Sequence, residues 1–158
     1  MIAALTGADN YFEDFRVGDV WRHARGKTIE PLDNVLLTHL VLNTAQAHFN
    51  EHAMAGTAVG TRLSYGGVNL AVVLGLAAQD TGENALAELG LDRLRLHRPV
   101  VHGDTLYAYS EVIAIADAER ADAGVVTFRH YGVNQADELV CEGERRVLIK
   151  RRSAWGGR

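Results

Sequence analysis

The chain has 158 residues, of which 47% are hydrophobic and 23% charged, with 2 prolines and 1 cysteine. That is enough for one domain with a buried core, and it excludes an extended disordered or polyproline protein. A formal net charge of −4 gives no general attraction to nucleic acid. No apolar run approaches the ~20 residues that cross a bilayer. The lone Cys141 makes no intrachain disulfide, so a reducing, cytoplasmic setting is expected, with neither nucleic acid nor membrane as partner.

In chain order, residues 1–10 are a lead-in, and Tyr11, Phe12, Phe15 and Val17 form an apolar cluster before the Gly18-Asp19 turn. Residues 20–29, with Trp21, predict a strand. Asp33 follows Pro31 and is a helix N-cap candidate. Val35, Leu36, Leu37, Leu40 and Val41 then predict the buried stripe of a helix ending near Asn43. A short helical turn is expected around residues 50–54. Gly66-Gly67 opens the most apolar segment, running to Gln79. A helix apolar on nearly every face is a buried core helix. Residues 91–98, 106–116, 125–133 and 139–150 alternate or are β-rich, and Gly103-Asp104, residues 122–124 and residues 135–137 separate them as turns. These predict consecutive antiparallel strands wrapped on one helix, an α+β layer fold. The domain spans 11–152, and 153–158 form a tail.

The chemistry concentrates at residues 43–50, where Asn43 and His48 stand five apart after an apolar helical run. A carboxylate and histidine in this arrangement would form a water-activating pair. Asn43 is an amide, able to orient water but not to take its proton. His48-Phe49-Asn50-Glu51-His52 also matches H-x-x-E-H. That pattern needs a stable helix and a third ligand, and neither is evident, so no metal is expected. Plainer readings stand beside the functional ones. Asn43 fits a left-handed helix end, Asn50 an N-cap, Asp104 a turn, Gly66-Gly67 turn chemistry, and Tyr65 the core. The basic residues Arg145, Arg146, Lys150, Arg151, Arg152 and Arg158 form either a solvated strand end and tail or a patch for an anionic ligand.

Four motifs in order carry a resemblance: residues 11–19, Asn43…His48, Arg62-Leu63-Ser64-Tyr65-Gly66-Gly67, and Arg98-Pro99-Val100-Val101-His102-Gly103-Asp104-Thr105-Leu106. Together they resemble the MaoC-like dehydratases, which include the (R)-specific enoyl-CoA hydratases. Within that family, residues 102–112 look most like the mesaconyl-CoA hydratase (β-methylmalyl-CoA dehydratase) branch. The resemblance implies a hotdog fold, a long central helix wrapped by a curved antiparallel sheet. It implies reversible hydration of an α,β-enoyl-CoA thioester, in this branch a short, branched, dicarboxylic one. The family signature D-x-N-P-x-H becomes Asn43, Ala45, Gln46 and His48 here, with only the histidine retained.

Hydration needs a proton acceptor for water, a proton for Cα, and a donor to the enolate oxygen. The resemblance implies His48 as acid/base, Asn43 orienting water or a substrate carboxylate, and the N–H of Gly66 or Gly67 as oxyanion donor. Tyr65 and Asn50 would line the acyl site. Arg93, Arg95, Lys150 and Arg151 are candidate contacts for the CoA phosphates, and Arg62 for a substrate carboxylate. Coenzyme A enters only as part of the substrate, and no separate cofactor is implied. A homodimer or larger homo-oligomer is implied, the catalytic loop of one subunit meeting the central helix of its neighbour. A second reading stays open, that of a catalytically degenerate hotdog protein that binds acyl-CoA or partners an active paralogue. A thioesterase shares the fold, but the signature argues against it.

Overall fold

The computed structural model describes residues 10–157; the lead-in, apart from Asn10, lies outside them. Strands β1 (Val20–Thr28), β2 (Ala85–Leu96), β3 (Thr105–Asp117), β4 (Ala123–Val133) and β5 (Leu139–Lys150) form one five-stranded antiparallel sheet in the order β1-β3-β4-β5-β2. The helices are α1 (Pro31–Leu40), α2 (Gln46–Phe49), α3 (Glu51–Ala55), α4 (Gly66–Gly82) and α5 (Arg152–Trp155). Helix α4 contacts all five strands. This is the hotdog arrangement that the motifs imply.

The predicted run of four neighbouring strands is corrected in one respect. β3, β4 and β5 form the meander, but β2 skips β3 and pairs with β5 at the far edge. β2 also begins at Ala85, earlier than alternation indicates, and Arg98 lies beyond its end. Alternation reports which residues face inward; it carries no information about which strand lies alongside.

Inward residues of β3, β4 and β5 divide the core into two apolar clusters. Phe12, Phe15, Val112, Val126, Phe128, Val147 and Ile149 form one, where Phe15 meets Phe128 edge-on at 5.2 Å. Ile29, Val73, Val100, Leu106, Ala108, Val140 and Cys141 form the other. Between them, Ser110 and His130 take inward positions that alternation would give to hydrophobes. They belong to a buried polar chain. Asp80 of α4 lies 2.5 Å from His23 Nδ1, His23 Nε2 lies 2.7 Å from Ser110 Oγ, and Ser110 Oγ lies 2.7 Å from His130 Nδ1. His130 Nε2 is buried without a partner among the described residues.

Helix α1 reverses the predicted orientation. Asn34 and Thr38 are fully buried, while Leu32, Leu36, Leu40, Val41 and Leu42 are exposed. The polar face turns inward because the loop beneath it brings backbone groups with no strand to pair them, and such groups need partners. Asp33 is the third helical residue, not the N-cap; its carboxylate accepts from the Glu30 N–H at 2.9 Å, closing the first turn. The helix stops at Leu40, and the left-handed residue after it is Leu42, with φ 55°, not Asn43.

Helix α4 is also less enclosed than its composition suggests. Val68, Asn69, Val73, Ala77, Asp80 and Thr81 are buried, but Gly67, Ala71, Gly75 and Ala78 are exposed. The expected tail is partly ordered: α5 folds back, and the Arg152 N–H donates to Glu13 at 2.9 Å.

Candidate active site

His48 sits on the last turn of α2, in the loop between α1 and α4. Its Nδ1 lies 2.9 Å from the Leu63 carbonyl oxygen. A carbonyl only accepts, so Nδ1 carries the proton and Nε2 is the basic nitrogen left for chemistry. The ring packs on Tyr65 with centroids 5.4 Å apart. Next to it, the Phe49 and His39 rings stack at 5.1 Å, tying α2 to α1.

A cavity of about 490 Å³ opens beside this ring. His48, Tyr65 and Gly66 line it together with Ser64, Asn69 and His97. Gly66 is the first residue of α4. The N–H groups of Gly66 and Gly67 make no hydrogen bond among the described residues, the normal state of a helix start. Glycine at both positions has a packing cause. A Cβ on Gly66 would overlap the Leu96 side chain arriving from β2, and one on Gly67 would overlap the Tyr65 ring. The same absence of side chain bares the backbone toward the cavity.

Asn34 is the site residue that sequence reasoning missed. From the buried face of α1, its Nδ2 donates to the His48 carbonyl at 3.0 Å and the Leu63 carbonyl at 3.4 Å, and its Oδ1 accepts from the Tyr65 N–H at 2.9 Å. One carboxamide therefore braces the segment holding the imidazole, the carbonyl that sets its tautomer, and the start of α4. The available signal was the i, i+4 pair Asn34/Thr38, polar residues on one face of an apolar helix. Ser64 and Asn69 form a second buried pair, with Ser64 Oγ donating to Asn69 Oδ1 at 2.6 Å.

The other expected site residues lie elsewhere. Asn43 does not line the cavity; its Oδ1 accepts from the Ala45 N–H at 3.2 Å, an Asx turn that shapes the loop. Asn50 caps α3, accepting from the Ala53 N–H at 3.0 Å. Gly67 borders a separate cleft of about 200 Å³ between α1 and α4, with Tyr65 between the two spaces.

The cationic candidates are likewise separated from the cavity. Arg93 and Arg95 line a different recess, of about 180 Å³, with Arg129, Glu142 and Glu144. They come together through a β-bulge, not by simple alternation: Arg93 has φ 51°, and the register jumps between Asp92 and Arg95. Glu144 accepts from Arg129 at 2.6 Å, and the guanidinium holds that carboxyl below its usual range. Arg62 is tied to Glu51, Arg151 is paired with Asp117, and Lys150 lies over the Trp155 ring. The arginine at the cavity itself is Arg98, beside Glu138 at 3.3 Å.

His48 and His52 fall on different helices, broken at Asn50. With Glu51 engaged by Arg62, the H-x-x-E-H pattern does not present a metal-binding face. No cluster of three metal-ligating side chains occurs among the described residues.

Known proteins share much of this sequence and its fold. A mesaconyl-CoA hydratase of Haloarcula marismortui is 34% identical over 152 residues, covering 89% of this chain and 42% of that protein. A β-methylmalyl-CoA dehydratase of Chloroflexus aurantiacus is 34% identical over 127 residues, covering 80% of this chain and 36% of that protein. The chain thus spans less than half the length of these curated relatives. A solved Mycobacterium tuberculosis structure with a double hotdog fold superposes with a TM-score of 0.81 at 26% identity, covering 92% of this chain and 46% of that one. The sequence model of mesaconyl-CoA hydratase matches residues 3–151, a span that contains the whole sheet and its central helix, and the chain belongs to that family.

Proposed function

We propose that this domain adds water reversibly to an α,β-enoyl-CoA thioester. One observation carries the reading: an imidazole with its proton fixed on Nδ1 and its Nε2 free shares a cavity with the first residue of a long helix, whose N–H is unpartnered. Nε2 accepts a proton from water as oxygen bonds to Cβ. The Gly66 N–H, at the positive end of the α4 dipole, meets the enolate charge on the thioester oxygen. Arg98 is the cation that lines this cavity, and it would exchange Glu138 for a substrate carboxylate or phosphate. The test is a panel of enoyl-CoA and 3-hydroxyacyl-CoA thioesters followed in both directions. Silence across the panel would leave the acyl-CoA-binding reading in its place.

Asn43 serves the loop in this reading, not the water. Aspartate accepts the same Asx-turn bond from Ala45. Asn43→Asp is therefore expected to leave turnover within about twofold, the ~0.5 kcal/mol scale of a neutral surface change. A large gain in initial rate would show that a carboxylate at this position reaches the reacting water.

We also propose that a second copy of the chain covers the β2 edge. β2 leaves a line of unpaired backbone groups, and Leu89, Leu91, Leu94 and Leu96 are exposed along it. Beside it, Gly75 and Ala78 of α4 leave room for close approach. Light scattering is expected to give a dimer mass for the wild type and a monomer mass for Leu91→Arg/Leu94→Arg. A monomeric wild type would remove the interface. No helix among the described residues is long and apolar enough to cross a membrane. Cys141 is a free, buried cysteine, and we assign the domain to a reducing, cytoplasmic setting.

A further inference from the structure

Hydration moves two protons, one off water and one onto Cα, and among the described residues no carboxylate lines the cavity. Asn43, at the position where the family signature has its acid, transfers no proton and faces its own turn. The cavity holds a second imidazole, however. His97 lines it too, just beyond the end of β2. Its backbone is fixed by an N–H bond of 2.8 Å to the Val140 carbonyl. Its Nε2 lies 3.2 Å from a carboxylate oxygen of Glu142 on β5. Nδ1 makes no hydrogen bond among the described residues, and the residue as a whole is exposed.

We propose that His97, held by Glu142, is the second proton-transfer group of this site, standing in for the signature carboxylate. The proposal rests on the hydratase reading above. In the hydration direction, His48 Nε2 takes a proton from water as the oxygen forms its bond to Cβ. The π electron pair moves through Cα to the thioester oxygen as an enolate, met by the Gly66 N–H. The enolate re-forms the carbonyl as Cα takes a proton from Nδ1 of the His97 imidazolium. Protons balance: His48 gains one, His97 loses one, and exchange with solvent restores both.

Several features suit His97 to the donor role. Glu142 engages Nε2 of His97, whereas the Leu63 carbonyl engages Nδ1 of His48, so the two rings leave opposite nitrogens unengaged. The other charged groups around the pair are accounted for. Arg98 lies on the same segment and is paired with Glu138, Tyr65 lies across the cavity, and Arg93, Arg95 and Arg129 share the recess on the far side of Glu142.

The experiment measures kcat and its pH profile for wild type, His97→Gln, Glu142→Gln and His48→Ala on the best enoyl-CoA of the panel, with thermal unfolding as the control on folding. Wild type is expected to show a bell, its alkaline limb reporting loss of the His97 proton. His97→Gln should lower kcat about 100-fold, the lower end for general-acid loss, and abolish the alkaline limb. Glu142→Gln, which keeps a hydrogen-bond acceptor beside Nε2, should lower kcat less than His97→Gln does. Wild-type kcat with both limbs intact in His97→Gln, alongside a dead His48→Ala, overturns the proposal and leaves the hydratase reading standing. A His97→Gln protein that is slow but keeps the alkaline limb assigns the ring a structural role and overturns it equally. A wild type inactive on every thioester removes the hydratase reading, and this proposal with it.

Discussion

His48→Ala is expected to slow enoyl-CoA hydration about 100- to 10,000-fold, the range for losing a positioned general base, with KM changing far less than kcat. The reason is specific to one nitrogen. The Leu63 carbonyl occupies Nδ1, so only Nε2 reaches the cavity. Alanine also removes the ring that packs on Tyr65, and a loss could be assigned to a collapsed loop. His48→Asn separates the two effects. Its side-chain NH₂ replaces Nδ1–H as donor to Leu63 and offers nothing at the Nε2 position. The asparagine protein should unfold near the wild-type temperature and be as slow as the alanine protein. Steady-state rates in both directions check this, since a group that takes a proton in hydration returns it in dehydration. Near wild-type turnover in His48→Asn would move the base to another residue.

Much of this arrangement is visible in the residues themselves. β-rich alternation located β3, β4 and β5 because each buries one face and the chain must repeat every second residue. Gly66-Gly67 before an apolar run marked the start of α4. His48, Tyr65 and Gly66 stand out in the sequence, and all three line one cavity. What stayed hidden depended on contacts distant in sequence. The leucines of α1 look like a core stripe, yet the polar stripe of Asn34 and Thr38 is buried because a loop 14 to 31 residues away needs hydrogen-bond partners. The place of β2 is set by pairing with β5, which its own pattern cannot encode. His97 reads as an ordinary residue before Arg98-Pro99; only the fold brings it into the space that His48 faces. Asn43 is the converse case. Its spacing to His48 suggested a pair, but the turn spends its carbonyl oxygen locally.

The buried polar chain gives the second large effect, on stability and not on rate. His130 is fully buried, and its pKa is pushed down to about 3, first by burial and then by the nearby charges of Arg145 and His23. In the unfolded chain a histidine titrates near 6.5. Between about 6.5 and about 3, the unfolded state therefore binds a proton that the folded state refuses. Stability falls as pH falls through that window, by about 1.4 kcal/mol per pH unit from this one group. His102 acts in the same direction, its pKa lowered by burial and by Arg62. The depressed carboxylates of Asp33 and Glu144 contribute only at lower pH, as acid approaches their unfolded values. The interval from pH 6.5 to 5 thus isolates the histidines. Urea unfolding across it should show the wild type losing stability steadily. His130→Gln keeps an amide toward Ser110 and has nothing to titrate, so its slope should be shallower by about 1.4 kcal/mol per unit whatever its stability at neutral pH. Parallel slopes for the two proteins would mean that His130 is charged in the folded core. The chain from Asp80 through His23 and Ser110 would then have to be carrying a proton that its burial argues against.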